Sequence, residues 1–195
     1  VHSADGNTIF VGSNGGKVYA LSSKDGTARW SFTTGGEVSA SPVLSADGAR
    51  LFVGSADNSV YCLDASTGVQ LWKYATWDEI RSSAALGQKG VLFVGSSDNS
   101  LYALFTANGT VAWKYQTGDM IYSSPSMSPD GTRVFVGSDD GFMYALDSAT
   151  GTLAWKVGAG YPQVGIDSSP AVSADGSRLF FGSYDKHVYA LDLSS

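Results

Sequence analysis

Short runs of apolar and aromatic residues recur along the whole chain, separated by Gly, Asn, Asp and Ser. Within one stretch, four such runs follow one another, at residues 82–86, 91–96, 100–104 and 111–115. Their β-branched and aromatic content, without an apolar stripe at helical i, i+3, i+4 spacing, predicts strands rather than helices. We therefore expect an all-β protein built from short antiparallel strands joined by tight turns.

A larger period organises these strands. The phrase Phe-Val-Gly-Ser, with Phe for Val in the last copy, occurs five times, and a Tyr follows seven residues after each Gly. The glycines lie at intervals of 42, 41, 42 and 45 residues, as Gly12, Gly54, Gly95, Gly137 and Gly182. This period suits a four-stranded propeller blade. We predict one β-propeller domain over residues 1–195, with about five blades at residues 1–34, 35–75, 76–116, 117–158 and 159–195.

The first and last repeats each lack part of the pattern. Residues 1–6 align with residues 43–48, inside a first strand, and the last repeat contains no fourth strand. Five blades are enough for a closed ring, whereas an open array exposes strand edges. We favour a compact five-unit ring. A segment of a larger propeller, or pairing of copies into a homo-oligomer through the incomplete blades, remains an alternative.

Composition narrows the class of protein. The chain has 195 residues, of which 43% are hydrophobic, so it can bury a core, and no apolar run approaches the roughly 18 residues that suggest a membrane span. A net charge of -6 with scattered Lys and Arg argues against nucleic-acid binding. The single cysteine, Cys62, excludes a disulfide within the chain and is predicted to be a buried, inert thiol.

Four tryptophans occupy the same place in successive units, at intervals of 42, 41 and 42 residues. They are Trp30, Trp72, Trp113 and Trp155. A buried indole contributes roughly 150–250 Å² of contact area, and repeat arrays bury their faces against neighbouring repeats. We predict that these four residues dock one blade on the next. An aromatic ligand box is the alternative interpretation of such a stripe.

Residues 145–155 resemble the tryptophan-docking motif of PQQ-like (quinoprotein-type) β-propeller repeats, Ala-x-Asp-x-x-Thr-Gly-x-x-x-Trp. Residues 61–72 depart from it only in having Cys62 for Ala, while the copies ending at Trp30 and Trp113 lose the Asp and the Thr. The resemblance implies that the motif locks blades together. It also implies a periplasmic or extracellular location, and a place among either PQQ- and Ca²⁺-dependent alcohol or sugar dehydrogenases or non-enzymatic modules. The latter include the lipoprotein scaffold of the outer-membrane barrel assembly machine and sensor domains of kinases.

The dehydrogenase alternative lacks several parts in this chain. Many such enzymes carry a vicinal disulfide over the cofactor, which one cysteine cannot form, and no Glu/Asn/Asp metal set stands apart from the turns. The two histidines, His2 and His187, are too isolated for a triad or a metal site. We favour a non-catalytic binding or scaffold module without a cofactor. A fragment of a PQQ-dependent dehydrogenase, needing PQQ and Ca²⁺, and a purely structural segment of a longer multidomain protein are the alternatives.

Departures from the repeat indicate where a partner could bind. In a propeller, loops from a fourth strand to the next first strand share one face with the loops between second and third strands, and loops on that face carry function more often than the scaffold does. Trp77 lies outside the docking register beside charged residues, a composition typical of binding patches. Together with other non-repeating positions it defines candidate residues for a protein or peptide partner. These are Trp77, Asp78, Glu79, Arg81, Asp119, Tyr122, Tyr161, Gln163 and Asp167. The alternative is that the loops simply drift and Trp77 covers the channel mouth.

Overall fold

The structure is a computed structural model that describes residues 1–160 and 164–193. In these residues, eighteen strands form five antiparallel sheets. The first sheet contains β1 (Thr8–Ser13), β2 (Lys17–Ser22) and β3 (Ala28–Thr33). The second contains β4 (Val43–Leu44), β5 (Arg50–Ser55), β6 (Ser59–Asp64) and β7 (Gln70–Ala75).

The remaining sheets repeat this order. The third contains β8 (Ala85–Leu86), β9 (Val91–Ser96), β10 (Ser100–Phe105) and β11 (Val111–Gln116). The fourth contains β12 (Ser126–Met127), β13 (Arg133–Gly137), β14 (Phe142–Asp147) and β15 (Leu153–Gly158). The fifth contains β16 (Ala171–Val172), β17 (Arg178–Gly182) and β18 (Val188–Asp192). Three four-stranded sheets thus stand between two three-stranded ones, which confirms the predicted all-β repeat with incomplete terminal units.

The first strand of each complete sheet is shorter than predicted. Of residues 82–86, only Ala85–Leu86 pair with β9. Ahead of them the Ser82 hydroxyl accepts a hydrogen bond from Gly95 N (3.0 Å) and donates one to Gly95 O (2.9 Å). The Ser82 hydroxyl therefore makes the two hydrogen bonds to Gly95 that the backbone N–H and C=O of a paired strand residue would otherwise make. The pairs Ser123 with Gly137 and Ser168 with Gly182 have the same two bonds.

The glycine of the repeated phrase is required by close packing. A Cβ added to Gly54 would lie 2.1 Å from Cγ2 of Ile80, which lies in the segment after β7, the fourth strand of the same sheet. Gly95 faces Ile121 in the same way at 2.3 Å. Ile80 and Ile121 are fully buried. Each loop is thus anchored by an aliphatic side chain that only a glycine can accommodate.

The hydrophobic core lies between successive sheets. Four apolar clusters join the first sheet to the second, the second to the third, the third to the fourth and the fourth to the fifth. In the second cluster, Phe52 and Trp72 have ring centroids 5.8 Å apart and pack with Leu92 and Tyr102 of the next sheet. Cys62 is fully buried there, as predicted, and burial raises the pKa of its thiol to about 12.

At three joints the tryptophans make the contacts that the predicted docking role requires. The indole Nε1 of Trp30 donates to Ala65 O (3.1 Å), that of Trp72 to Thr106 O (3.0 Å) and that of Trp113 to Ser148 O (3.0 Å). Each acceptor belongs to the next sheet. Trp155 packs on Phe135, with ring centroids 5.9 Å apart, in the cluster that joins the fourth and fifth sheets. The indoles therefore pack between sheets, and Trp155 and Trp30 also line cavities of about 570 and 370 Å³.

The outer faces of the first and last sheets are exposed, which does not support the prediction that the five units close into a ring on their own. Ile9 of β1 is 41% exposed, although the matching Leu51 and Leu92 in the inner sheets are fully buried. At the other end, Val188 of β18 is 81% exposed, whereas its counterpart Val60 is fully buried. These two faces would cover each other in a five-bladed ring. In the described residues, neither face is covered by another sheet as its counterparts are in the inner sheets.

Candidate interaction site on the loop-bearing rim

Three aspartates connect the rim loops of neighbouring sheets. The backbone N–H of Gly35 donates to Asp57 Oδ2 (2.8 Å), that of Trp77 to Asp98 Oδ2 (3.1 Å) and that of Gly118 to Asp140 Oδ2 (2.7 Å). In each pair, the loop after a fourth strand meets the turn between the second and third strands of the next sheet. The expectation that these two kinds of loop share one face is confirmed.

The same aspartates explain the tyrosine that follows each repeated glycine. The Tyr102 hydroxyl donates to Asp98 Oδ2 at 2.5 Å, and Tyr61 and Tyr144 donate to Asp57 and Asp140 in the same way. Burial and this hydrogen bond raise the pKa of Tyr102 well above its ordinary value, so the phenol remains a donor. Each of these aspartates therefore binds a tyrosine of its own sheet and a loop of the preceding one.

Trp77 projects from this rigid rim into solvent. Its side chain is 85% exposed, although its backbone is held by Asp98. Gly35 and Gly118 occupy the same position in other units, and a Cβ there would lie 2.9 and 2.8 Å from the aspartate oxygen. A side chain at this position is therefore crowded, which accounts for the longer N–H···O distance at Trp77. The indole gains no burial in return.

Glu79 and Arg81 lie on either side of the buried Ile80. Arg81 Nε and Glu79 Oε2 are 2.6 Å apart, and this ion pair raises the pKa of the Arg81 guanidinium above its already high value. Both side chains are partly exposed. An exposed ion pair adds only about 0–1 kcal/mol to stability. A partner that binds either charge and separates the pair therefore reduces the stability of the fold very little. Because Ile80 is anchored, the backbone that presents them is fixed.

The other candidates in this part of the rim have local hydrogen bonds. Asp78 Oδ1 accepts from Glu79 N (2.8 Å), and Asp119 Oδ1 accepts from Met120 N (2.8 Å). The Tyr122 hydroxyl donates to Met120 Sδ (2.8 Å). Tyr122 adds a small contribution to the raised pKa of Arg81, and the two residues occupy equivalent places in neighbouring sheets. Trp77, Glu79, Arg81 and Tyr122 thus belong to one continuous stretch of rim.

Asp167 lies at a different joint, between the fourth and fifth sheets. Its Oδ2 accepts a hydrogen bond from the Tyr184 hydroxyl (2.9 Å). Burial, a hydrogen bond with Asp167 and the charges of Asp167, Asp119 and Asp140 raise the pKa of Asp139 to about 7. A cavity of about 400 Å³ is lined by Asp167, Ser168, Gly182, Ser183 and Tyr184. The candidate residues therefore divide into two groups.

Two of the predicted residues cannot be placed. Tyr161 and Gln163 lie outside the residues that the structure describes. In the described part of the chain, no three His, Cys, Asp or Glu side chains are arranged to bind a metal ion. His2 and His187 are exposed, and His187 Nδ1 lies 3.4 Å from Asp185 Oδ1.

Sequence reasoning missed two features of this region. The first is Asp139, whose position holds Ala56 and Ser97 in two other repeats, and this difference is the signal that the sequence offers. The second feature is a relay of serines from sheet to sheet. The N–H groups of Ser41, Ser83 and Ser124 donate to the hydroxyl oxygens of Ser83, Ser124 and Ser169, at 2.9, 2.9 and 3.0 Å.

Comparison with known proteins agrees with this architecture. The sequence profile of the PQQ-like repeat family described as "Outer membrane protein assembly factor BamB" matches residues 1–87 and 75–195. No curated protein matches the chain. Within residues 1–160 and 164–193, no helix has the length and apolar character needed to cross a bilayer.

Among solved structures, the crystal structure of BamB from Moraxella catarrhalis matches with a TM-score of 0.83 and 20% sequence identity. The match covers 96% of this chain and 59% of that one, so the chain spans less than two thirds of its length. A likeness at this identity establishes the fold, and the five sheets are therefore blades of a β-propeller. Since the family profile extends over the whole sequence, the chain belongs to the PQQ-like repeat family of the outer membrane protein assembly factor BamB.

Proposed function

We propose that this propeller segment is a non-catalytic scaffold that binds a protein partner through its loop-bearing rim. The observation that carries the proposal is Trp77, an 85% exposed indole on a backbone held by Asp98 and by the buried Ile80. Exposed aromatic side chains on rigid supports are the residues that dominate protein–protein binding energy. The family profile, named for an assembly factor, supports the same general role.

The composition of the surrounding rim favours a polypeptide over a small molecule. Trp77 offers one apolar surface, and the Glu79–Arg81 pair offers one charge of each sign within the same loop. Such a surface matches an extended segment that presents an apolar side chain next to polar or charged ones. We extend the site to Tyr122 in the neighbouring sheet, because its place in the repeat is equivalent to that of Arg81.

The proposed role requires no cofactor and no chemical step. The alternative, a fragment of a PQQ-dependent dehydrogenase, predicts saturable spectral changes on titration with PQQ and Ca²⁺ and dye-linked oxidation of an alcohol. We expect a flat response in both measurements. Saturable binding together with turnover would replace the scaffold proposal by the enzymatic one.

Selection from a displayed peptide library on the immobilised protein tests the site directly. We expect enriched peptides to bind the parent chain and to lose at least tenfold in affinity for Trp77→Ala and for Arg81→Glu. Leu71→Ala is the matched control, because Leu71 is also a large exposed apolar side chain (49%) but lies on β7. Peptides that bind Trp77→Ala as well as the parent would remove the rim site.

A further inference from the structure

The third sheet departs from the repeat at the end of its strands that lies away from the rim. In the second, fourth and fifth sheets, an arginine that opens the second strand faces an aspartate of the third strand, as Arg50 faces Asp64. In the third sheet Val91 faces Phe105 instead, and the Phe105 side chain is 43% exposed. An apolar pair therefore stands where the other sheets have opposite charges.

In the second sheet, this arginine reaches the next sheet. Arg50 Nη1 donates to Thr106 O (2.7 Å), the carbonyl that also accepts the hydrogen bond from Trp72 Nε1 (3.0 Å). A backbone carbonyl oxygen has two lone pairs, so Thr106 O has both of its hydrogen bonds. A guanidinium therefore bridges the second and third sheets beside the docking indole.

The equivalent carbonyl of the fourth sheet has only one of these two partners. Ser148 O accepts from Trp113 Nε1 (3.0 Å), and no second donor reaches it from the part of the chain that the structure describes. Val91, at the place of the arginine, has no group that can donate. The joint between the third and fourth sheets therefore leaves one lone pair of this carbonyl free.

A groove of about 300 Å³ lies at this joint. Val91, Phe105 and Ala112 line it on the third sheet, and Asp147 and Ser148 line it on the fourth. Both sheets have all four strands, so the groove is bounded by complete units on each side. Ligand pockets measure roughly 300–1,000 Å³, so the groove suits one long side chain better than a cofactor.

The charges and the aromatic ring at the groove favour a cation. The Asp147 carboxylate lies on one wall, where Arg133 Nη1 is 3.2 Å from Oδ2, and the Phe105 ring on the other wall offers a face on which a guanidinium can stack. Lys89 also borders the groove, but its side chain is exposed and forms no hydrogen bond or ion pair with a described residue. The net charge of -6 attracts a cation to the chain as a whole.

We propose that the groove between the third and fourth sheets binds the arginine side chain of a separate polypeptide segment. The guanidinium donates to Ser148 O and stacks on Phe105, in the place that Arg50 occupies one joint earlier. Lysine is a poorer ligand, because its ammonium group lacks the planar array of donors that both contacts use. The groove lies at the opposite end of the strands from Trp77, so this proposal does not rest on the function proposed for the rim.

Titration of the ¹⁵N-labelled chain with the tripeptide acetyl-Gly-Arg-Gly-amide tests the chemistry of the ligand. Because Ser148 O would then accept two hydrogen bonds, we expect a saturable shift of the Trp113 indole N–H resonance, while those of Trp30 and Trp72 stay unchanged. Peptides with lysine or citrulline in place of arginine should bind at least tenfold more weakly. Equal binding of the three peptides, or no saturable shift at Trp113, would overturn the proposal.

Val91→Arg tests the position of the site. The new side chain should fill the groove from within the chain, shift the Trp113 indole resonance without peptide and weaken peptide binding at least tenfold. Val11→Arg is the matched control, since Val11 is 40% exposed on β1 and the change of charge is the same. It should bind the peptide as the parent does. Equal loss in both variants would assign the effect to net charge and contradict the proposal.

Ala112→Leu narrows the groove without a change of charge. Leu71 occupies the same position in the second sheet and is 49% exposed there, so the larger side chain is compatible with the fold. We expect an unchanged melting temperature and at least a tenfold loss of peptide affinity. Normal binding by a folded Ala112→Leu chain would place the peptide elsewhere and overturn the proposal.

Two further variants separate this groove from other sites. Lys89→Ala removes a positive charge beside the groove and should bind the arginine peptide at least as tightly as the parent. A loss of binding would assign the groove to an anionic ligand and overturn the proposal. Trp77→Ala should also bind the tripeptide as the parent does, so failure of the rim site would leave this proposal standing. Loss of tripeptide binding in Trp77→Ala would place the peptide on the rim and contradict it.

Discussion

The indole of Trp72 lies directly on the backbone of Gly109 in the next sheet. A Cβ added to Gly109 would come within 2.6 Å of the indole ring, and the residue also has a φ of +72°. The glycine therefore serves two purposes, a turn that L side chains rarely adopt and a flat surface for the tryptophan. Gly68 under Trp30 and Gly151 under Trp113 repeat the arrangement.

This contact predicts a large cost for Gly109→Ala. The positive φ costs an alanine about 1–2 kcal/mol, and the overlap with the indole adds about 1–3 kcal/mol. We expect the free energy of unfolding in urea to fall by about 2–5 kcal/mol. Gly26→Ala is the control, since Gly26 has a φ of +73° but nothing within 4 Å of the added Cβ, so it should lose only the backbone contribution. Equal losses would mean that the indole does not dock on Gly109.

The serine hydroxyl that bonds the backbone of the second strand gives a second prediction about stability. Ser123→Ala removes both bonds from its hydroxyl to Gly137 N and O, and leaves two buried backbone groups without this partner. We expect a loss of about 1–3 kcal/mol in the free energy of unfolding. Ser41→Ala is the matched control, because Ser41 is exposed and bonds its neighbour through its N–H. No difference between the two variants would contradict the role given to the hydroxyl.

Asp139 predicts a dependence of stability on pH. Its pKa is raised from the ordinary 3.8 to about 7 in the folded chain, so folding takes up a proton between these values. The contribution of Asp139 to the free energy of unfolding is therefore fully present below about pH 4, and it is lost as the pH rises through about 7. We expect the urea midpoint to fall between pH 5 and 8, and Asp139→Asn or Asp167→Asn to flatten that slope.

The control for the pH experiment is an aspartate whose pKa is shifted in the opposite direction. Hydrogen bonds from Ser128 and Thr132 lower the pKa of Asp130, so its contribution is lost only as the pH falls below about 4. Asp130→Asn should leave the slope between pH 5 and 8 unchanged. If Asp139→Asn also leaves the slope unchanged, the carboxyl pair does not control this pH range.

Trp77 gives a prediction that separates binding from folding. Gly occupies its position in two other units, with shorter N–H···O distances of 2.8 and 2.7 Å. We expect Trp77→Gly to leave the urea midpoint unchanged or slightly higher, while peptide capture at the rim is lost. A fall of more than about 1 kcal/mol would mean that the indole stabilises the fold, since exposed positions change stability by about 0.5 kcal/mol or less.

The repeat made the fold predictable, whereas the rim was predictable only in outline. Equivalent positions such as Gly54 and Gly95 share a structural role, so their period reveals the unit. Non-equivalent positions such as Trp77 and Arg81 can be recognised as exceptions, but their exposure and partners depend on loops from two sheets. Asp139 escaped notice because its environment is formed by Asp167 and Tyr184, which are distant in the sequence.

The sequence by itself determined the strand pattern, the length of the unit, the docking tryptophans and membership of a propeller family, because these follow from local periodicity repeated five times. Only the tertiary structure decided that the end faces are exposed, that the turn aspartates join neighbouring sheets, and that Trp77 lies in solvent while the docking indoles are packed. These outcomes depend on contacts between residues about 20 to 45 positions apart, from Trp77 to Asp98 and from Ser124 to Ser169. No local pattern contains that information.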